Sequence, residues 1–210
     1  MKIINLEKIK NVILDLGGVI YDIRYENIAD AFTSYGISDF TQYYTQAQQS
    51  DVIDLFEEGK ISALEFRNYI RSLSPISLTD KQIDDAWNAI MIDIPISRIN
   101  FLKRLKEKYR IFLFSNTNQI NYDFYTTFVK EKFGYNIFEE LFEKAYFSHI
   151  LHIRKPHEEG FLTICKENNL IPQETLFIDD TERHVLGAER CGIQTILLQN
   201  ELCDMDFLIQ

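Results

Sequence analysis

The chain has 210 residues, of which 46% are hydrophobic, and a formal net charge of −10. That length suits one large domain or one core domain with a modest insert, and no apolar run approaches the ~20 residues of a membrane span. The acidic balance argues against nucleic acid or an anionic membrane surface as partner, and it requires local positive charge wherever an anionic substrate enters.

The first residues, Met1-Lys2-Ile3-Ile4-Asn5, lack the charged start, apolar middle and small-residue cleavage site of a secretory signal. Cys165, Cys191 and Cys203 are widely spaced and read as small buried residues or free thiols of a reducing compartment, so a cytoplasmic location is expected. A short apolar strand, Val12-Ile13-Leu14, ends on Asp15 and is followed by Leu16-Gly17-Gly18-Val19. A carboxylate at the exit of a buried strand is costly without a partner. The carboxyl ends of strands in open parallel sheets are also where ligands sit, and paired glycines allow close approach.

From about Ile23 to Ile94 no convincing strand is visible, and amphipathic helical patterns take over. Ser62 with Glu65 forms a capping box that predicts a helix through Phe66 and Ile70; Thr79-Asp80 opens another through Ile83, Ala86, Trp87 and Ile90. The expected organisation is a core domain of residues 1–22 and 95–210 with an all-helical cap over 23–94, inserted just after the first strand. A block placed there hangs over the sheet's carboxyl edge as a lid, with crossings near Tyr21-Asp22-Ile23 and Ile94-Pro95 acting as a hinge. Its aromatics (Tyr25, Tyr43, Tyr44, Phe56, Tyr69 and Trp87, with Tyr21 beside them) are expected mainly to form its own core.

After Pro95 four more short apolar strands follow: Ile111–Phe114, Ala145–Phe147, Leu176–Ile178 and Thr195–Leu198. They do not alternate, as expected of a parallel sheet buried on both faces, and helices are predicted between them at about 98–108, 119–132, 157–168 and 182–191. The second strand exits into Ser115-Asn116-Thr117-Asn118 before a helix, where a hydroxyl and free amides favour an anion. Beyond the third stands Arg154-Lys155-Pro156, with Pro156 expected in the first helical turn. The fourth ends in Asp179-Asp180, adjacent carboxylates that call for a cation or a lysine. His149, His152 and His157 match no strict ligand spacing and are expected to be scattered surface residues.

In their order, Asp15-Leu16-Gly17-Gly18-Val19, Ser115-Asn116-Thr117-Asn118, Arg154-Lys155-Pro156 and Phe177-Ile178-Asp179-Asp180 resemble the haloacid dehalogenase-like superfamily over nearly the whole chain. Phe56-Glu57-Glu58-Gly59-Lys60-Ile61-Ser62 is similar to the cap of the same group. The most similar branch contains bacterial α-D-glucose-1-phosphate phosphatase and the phosphatase domain of soluble epoxide hydrolase. The resemblance implies a Rossmann-like parallel-sheet α/β core and a Mg²⁺-dependent phosphomonoesterase. Its substrate would be a small phosphorylated metabolite, with a sugar phosphate one candidate. It further implies Asp15 as nucleophile, Mg²⁺ held by Asp15, the Gly17 carbonyl and Asp180, and phosphate held by Ser115, Asn116, Gly18 and Lys155. Asp179 would orient Lys155 or a metal-bound water.

Gly17 departs from most of the superfamily, which places a general acid/base Asp two residues after the nucleophile. That help is worth ~10²–10⁴ in rate, so its loss argues against a phosphomutase and leaves a slow or inactive phosphometabolite-binding module as an alternative. Asp22 and a group supplied by the cap are candidates for the vacant role. A metal-independent 2-haloacid dehalogenase is a further alternative, which the Asp179-Asp180 pair disfavours. His184 stands where relatives often carry Asn, and His152 where Gly is common. The expected state is a monomer or homodimer, with a mouth made positive by Lys155, Arg154 and the metal.

Overall fold

The computed structural model describes residues 4–45 and 50–210; Met1–Ile3 of the leader reading lie outside them. The chain runs β1 (Asn11–Leu14), β2 (Asp22–Ile23), α1 (Tyr25–Ser34), α2 (Asp51–Glu57), α3 (Ala63–Leu73), α4 (Asp80–Asn88), β3 (Met91–Asp93), α5 (Ile96–Lys108) and β4 (Arg110–Ser115). It continues through α6 (Gln119–Phe133), α7 (Ile137–Glu140), β5 (Lys144–Phe147), α8 (Ser148–Leu151), α9 (Glu158–Glu167), β6 (Thr175–Asp179), α10 (Glu182–Arg190) and β7 (Gln194–Leu197).

Five strands form one parallel sheet in the order β5-β4-β1-β6-β7. β1 is central and buried along its whole length, which is why Val12-Ile13-Leu14 shows no alternation. The sheet separates two apolar layers. Val12, Leu14, Leu113 and Ile178 face α5 and α6; Ile13, Phe112, Phe114 and Phe177 face Phe161 of α9 and Ala188 of α10. This is a doubly wound α/β core. No helix among the described residues is long and apolar enough to cross a membrane.

A separate apolar cluster binds α1 to α4: Phe32, Phe40, Ile53, Phe56, Phe66, Ile70, Ile83 and Trp87. Phe56 stacks on Phe66 with ring centroids 4.4 Å apart, and Tyr44 packs on Trp87 at 5.0 Å. The capping box expected at Ser62 forms, the helix expected from Thr79-Asp80 begins there, and it carries a second capping box beyond the one expected. Ser62 and Glu65 open α3, and Thr79 and Gln82 open α4, each satisfying donors that would otherwise face water unpaired. Tyr21 is the exception among the aromatics, since it packs in the sheet's own core against Phe128.

The 23–94 block is not purely helical. β2 and β3 pair antiparallel, Asp22 opposite Asp93 and Ile23 opposite Met91, so the two crossings form one ribbon. Strands of two and three residues carry too few side chains to display a period. Arg98, 5% exposed, anchors the ribbon from α5 by pairing with Asp22 at 2.8 Å and Glu201 at 2.7 Å and donating to the Ile20 carbonyl. Lys132 of α6 pairs with Asp93 and donates to the Ile94 carbonyl at 2.9 Å. α9 starts at Glu158 with His157 as its cap, so Pro156 precedes the helix rather than opening it. α7 and α8, at four residues each, are too short to have been read from periodicity.

The histidine expectation also changes. His152 and His157 lie on the surface, but His149 is only 7% exposed, between Tyr122 and Phe147, with no partner on either ring nitrogen. Burial pushes its pKa from 6.5 down to about 4. Between those values the unfolded chain binds the extra proton and the folded chain does not, so stability falls as pH drops from 7 toward 4. His149→Phe, which keeps the aromatic packing and removes the titration, is expected to flatten the decline of Tm measured from pH 7 to pH 5. Each 1 kcal/mol recovered raises Tm by roughly 2–4 °C in a chain of this size.

Candidate active site

Because β4, β1 and β6 are adjacent, their carboxyl ends bring Ser115, Asp15 and Asp179-Asp180 to one place on the sheet's edge. Asp15 follows β1 directly, its amide still donating to the Ile178 carbonyl at 3.0 Å. The fourth component, Lys155, arrives from the turn between α8 and α9. The Asn116 side chain clamps that turn: its Nδ2 donates to the Lys155 carbonyl at 2.9 Å and its Oδ1 accepts from the Lys155 amide at 2.8 Å.

Lys155 is completely buried. Its Nζ lies 2.6 Å from Asp15 Oδ1 and 2.7 Å from Asp179 Oδ2, while Asp179 also receives His184 Nδ1 at 3.1 Å. Burial works against the charge on Lys155, but the two carboxylates outweigh it and hold the ammonium protonated. Burial alone would raise Asp179; Lys155 and His184 reverse that and hold it at about 2. Asp15 goes the other way: burial, with the charges of Asp179 and Asp180, lifts it to about 8 despite Lys155. Burial and Asp179 raise Asp180 as well. Removing the ammonium leaves the ionised Asp179 buried without its cationic partner, so Lys155→Ala is expected to lower unfolding free energy by roughly 3–5 kcal/mol, measured by urea denaturation at pH 7.

Ligand atoms of Asp15, Asp179 and Asp180 all lie within 4.8 Å of one another. Asp179 is taken up by Lys155 and His184 behind the cavity, whereas Asp15 and Asp180 line it. Hard carboxylate oxygens of this kind suit Mg²⁺, and a cation would relieve the strain that raises both carboxyls. Gly18 makes room for the arrangement. Its φ is +75°, and a Cβ there would fall 2.2 Å from Asp180 Oδ2.

The block formed by α1 to α4 closes over this edge. Trp87 Nε1 donates to Asn118 Oδ1 at 3.2 Å, Asn121 Nδ2 to Asn88 Oδ1 at 2.9 Å, and His152 Nδ1 to the Glu58 carbonyl at 2.9 Å. Arg154 points under the block and pairs with Asp54 and, at 2.8 Å, with Glu57. It therefore ties the two parts together and does not present free charge at an open mouth. The enclosed cavity is lined by Asp15, Ser115, Lys155 and Asp180 from the core and by Tyr25 and Glu57 from the block. Its volume of about 70 Å³ is well below the ~300 Å³ at which small-molecule sites usually begin.

The structure thus brings together Asp15, Gly17, Ser115, Asn116, Lys155 and Asp180 at the cavity wall, with Gly18 and Asp179 directly behind. It does not bring in Asp22, whose carboxylate is 40% exposed and paired with Arg98 on the ribbon. Among the wall residues without an expected role in the site are Glu57, Arg183, His184 and Tyr44. Glu57 had a readable signal. It stands at i+4 from Ile53 and beside Phe56 on the buried face of α2, where a carboxylate is out of place.

The family model for haloacid dehalogenase-like hydrolases matches residues 9–192. A D-ribitol-5-phosphate phosphatase of Bacteroides thetaiotaomicron is 30% identical over 194 residues, spanning 91% of this chain and 93% of the relative. Among solved structures, a wild-type enzyme of this family from the same organism, complexed with magnesium and inorganic phosphate, superposes with a TM-score of 0.81. It is 34% identical over 90% of this chain and 93% of its own. A hydrolase of this kind from Porphyromonas gingivalis gives a TM-score of 0.80 at 30% identity, covering 90% of each chain. L-2-haloacid dehalogenase of Xanthobacter autotrophicus shares the fold, with a TM-score of 0.55 at 19% identity over 89% of this chain and 76% of its own. On the extent of these matches and on the strand-end arrangement of Asp15, Ser115, Lys155 and Asp180, the chain belongs to the haloacid dehalogenase-like hydrolases.

Proposed function

We propose that the chain is a Mg²⁺-dependent phosphomonoesterase for a small phosphorylated sugar or pentitol, with Asp15 as its nucleophile. The observation that carries this reading is the buried Asp15–Lys155–Asp179 arrangement beside Asp180, set in a cavity beneath the helical cap. Support for the substrate class comes from the relative named for D-ribitol 5-phosphate and from the neighbour complexed with magnesium and phosphate. The division into a core of 1–22 and 95–210 and a cap of 23–94 belongs to the same reading. So does a monomer or homodimer in the cytoplasm, supported by the three free cysteines.

In this scheme one Asp15 oxygen bonds to phosphorus as the ester oxygen departs, so a single displacement becomes two easier ones through an aspartyl-phosphate. Lys155 holds Asp15 in line and offsets charge on the transferring group, while Asp179 and Asn116 fix Lys155 from either side. Ser115 and the Asn116 amide hold the phosphoryl oxygens. The Gly18 amide expected to join them already donates to the Tyr21 carbonyl at 2.9 Å, so Gly18 serves by its lack of a side chain. Asp15, Asp180 and the Gly17 carbonyl would hold Mg²⁺, which neutralises phosphate charge and fixes its orientation when bound. The cavity is narrow for a pentitol beside its phosphate, and a swing of the cap on the β2–β3 ribbon would widen it to load substrate.

Asp15→Asn is expected to lower kcat for phosphate release from D-ribitol 5-phosphate by ~10³-fold or more, about 4 kcal/mol of transition-state stabilisation. A chelator should abolish release by the wild-type protein and added Mg²⁺ should restore it. Release that survives Asp15→Asn would remove the nucleophile assignment.

A further inference from the structure

Gly17 leaves vacant the position from which most relatives protonate the leaving group, and the fold does not refill it locally. A Cβ built at Gly17 would lie 3.0 Å from Ile23 Cδ1, so the space beside the nucleophile is taken by the ribbon of the cap. Hydrolysis of an alkyl phosphate still requires a proton for the departing oxygen and a base for the attacking water. The donor must therefore come from another wall of the cavity.

Among the described residues the wall offers few choices. Lys155 is locked between Asp15 and Asp179. His184 turns Nδ1 to Asp179, and burial lowers its pKa to about 4, so at neutral pH it has no spare proton to give. The phenols of Tyr25 and Tyr44 are pushed up by burial and cannot serve as the base of the second step. Asp15 and Asp180 are committed to phosphorus and metal. The remaining carboxyl is Glu57, the last residue of α2, 3% exposed and on the part of the wall that the cap supplies.

Resting on the phosphatase reading, we propose that Glu57 is the general acid and base of this enzyme, a catalytic residue delivered by the cap. In the first step an Asp15 oxygen bonds to phosphorus, the ester P–O bond breaks, and the departing oxygen takes the proton of the Glu57 carboxyl to leave as the alcohol. In the second, the Glu57 carboxylate takes a proton from the water whose oxygen bonds to phosphorus. The P–O bond to Asp15 then breaks, which regenerates the Asp15 carboxylate and protonated Glu57 and frees inorganic phosphate.

The surroundings of Glu57 suit a group that gains and loses a proton. Burial raises its pKa, and Arg154, Arg183 and Lys155 pull against burial while Asp54 adds to it. Arg154 sits between Glu57 and Asp54, so the guanidinium keeps a carboxylate partner when Glu57 is neutral. Tyr25 feels the charge of both Glu57 and Asp15, and all three line the same cavity. Closure and proton transfer become one event, because the acid is present only when the cap is down.

The test compares kcat/KM, which reports the steps through aspartyl-phosphate formation, on leaving groups of different acidity. Glu57→Gln is expected to lose about 100-fold or more on D-ribitol 5-phosphate, whose alkoxide needs the proton, and less than about threefold on p-nitrophenyl phosphate, whose phenolate does not. Asp54→Asn, which loosens Arg154 without touching the cavity wall, should leave the ratio between the two substrates unchanged. An equal loss on both esters would overturn the proposal, since a residue that only latches the cap slows every substrate alike. Should Glu57→Gln not fold, Glu57→Asp keeps a carboxyl drawn back by one methylene and is expected to show the same unequal loss; an equal loss again overturns it. Uniform loss with Asp15-dependent release intact falls on Glu57 alone, whereas absence of Asp15-dependent release from either ester by the wild-type protein falls on the phosphatase reading as well.

Discussion

The constraint that organises this protein is the enclosure of one ammonium group. Lys155 has no water to lean on, and a charge so placed survives only if carboxylates and hydrogen bonds surround it closely. Meeting that demand draws in Asp15 from β1, Asp179 from β6 and, through its backbone, Asn116 from the end of β4. Three strands and one turn are thus pinned to a common point. The pairing also separates two adjacent carboxylates in character: Asp179 is held firmly ionised, while Asp180 is left under strain and faces the cavity. Geometry for phosphate chemistry and geometry for folding are the same geometry here.

Over this fixed floor lies a roof with its own apolar core. Because Phe32, Phe56, Phe66 and Trp87 pack among themselves, the α1–α4 block keeps its shape independently of the sheet. Its contacts with the floor are of another kind. They are mainly polar: an indole N–H to Asn118, an imidazole to the Glu58 carbonyl, and Arg154 to Asp54 and Glu57. Among the described residues, Ile120 of α6 is the core's one contribution to the roof's apolar cluster. A rigid roof on a polar seam can move as a body, and a residue such as Glu57 moves with it.

Asp15, Ser115, Lys155 and Asp179-Asp180 stood out in the sequence because each breaks a local rule, a polar group at the mouth of an otherwise apolar strand. The capping box at Ser62 was legible for a related reason, since its chemistry is complete within four residues. What escaped notice depends on distant partners. The β2–β3 ribbon is too short to have a period and exists because Asp22 and Asp93 are held by Arg98 and Lys132. His149 is inside because Tyr122 and Phe147 enclose it, and Arg154 is turned inward because α2 places two carboxylates above it. Glu57 lay within a phrase already singled out, yet only the fold shows that its side of α2 faces the cavity that Asp15 lines.

The ribbon carries an implication for how such a chain is assembled. Some seventy residues are interposed between Tyr21 and Pro95, yet the points of departure and return are hydrogen-bonded neighbours. To the sheet the insertion therefore presents the ends of a tight hairpin, and the entropy of closing the long loop grows only logarithmically with its length. The parallel pairing of β1 with β4, its partner beyond the insertion, is accordingly insensitive to what the loop contains. A fold built this way can exchange one roof for another of different size while the floor keeps its register, so the two are free to diversify at different rates.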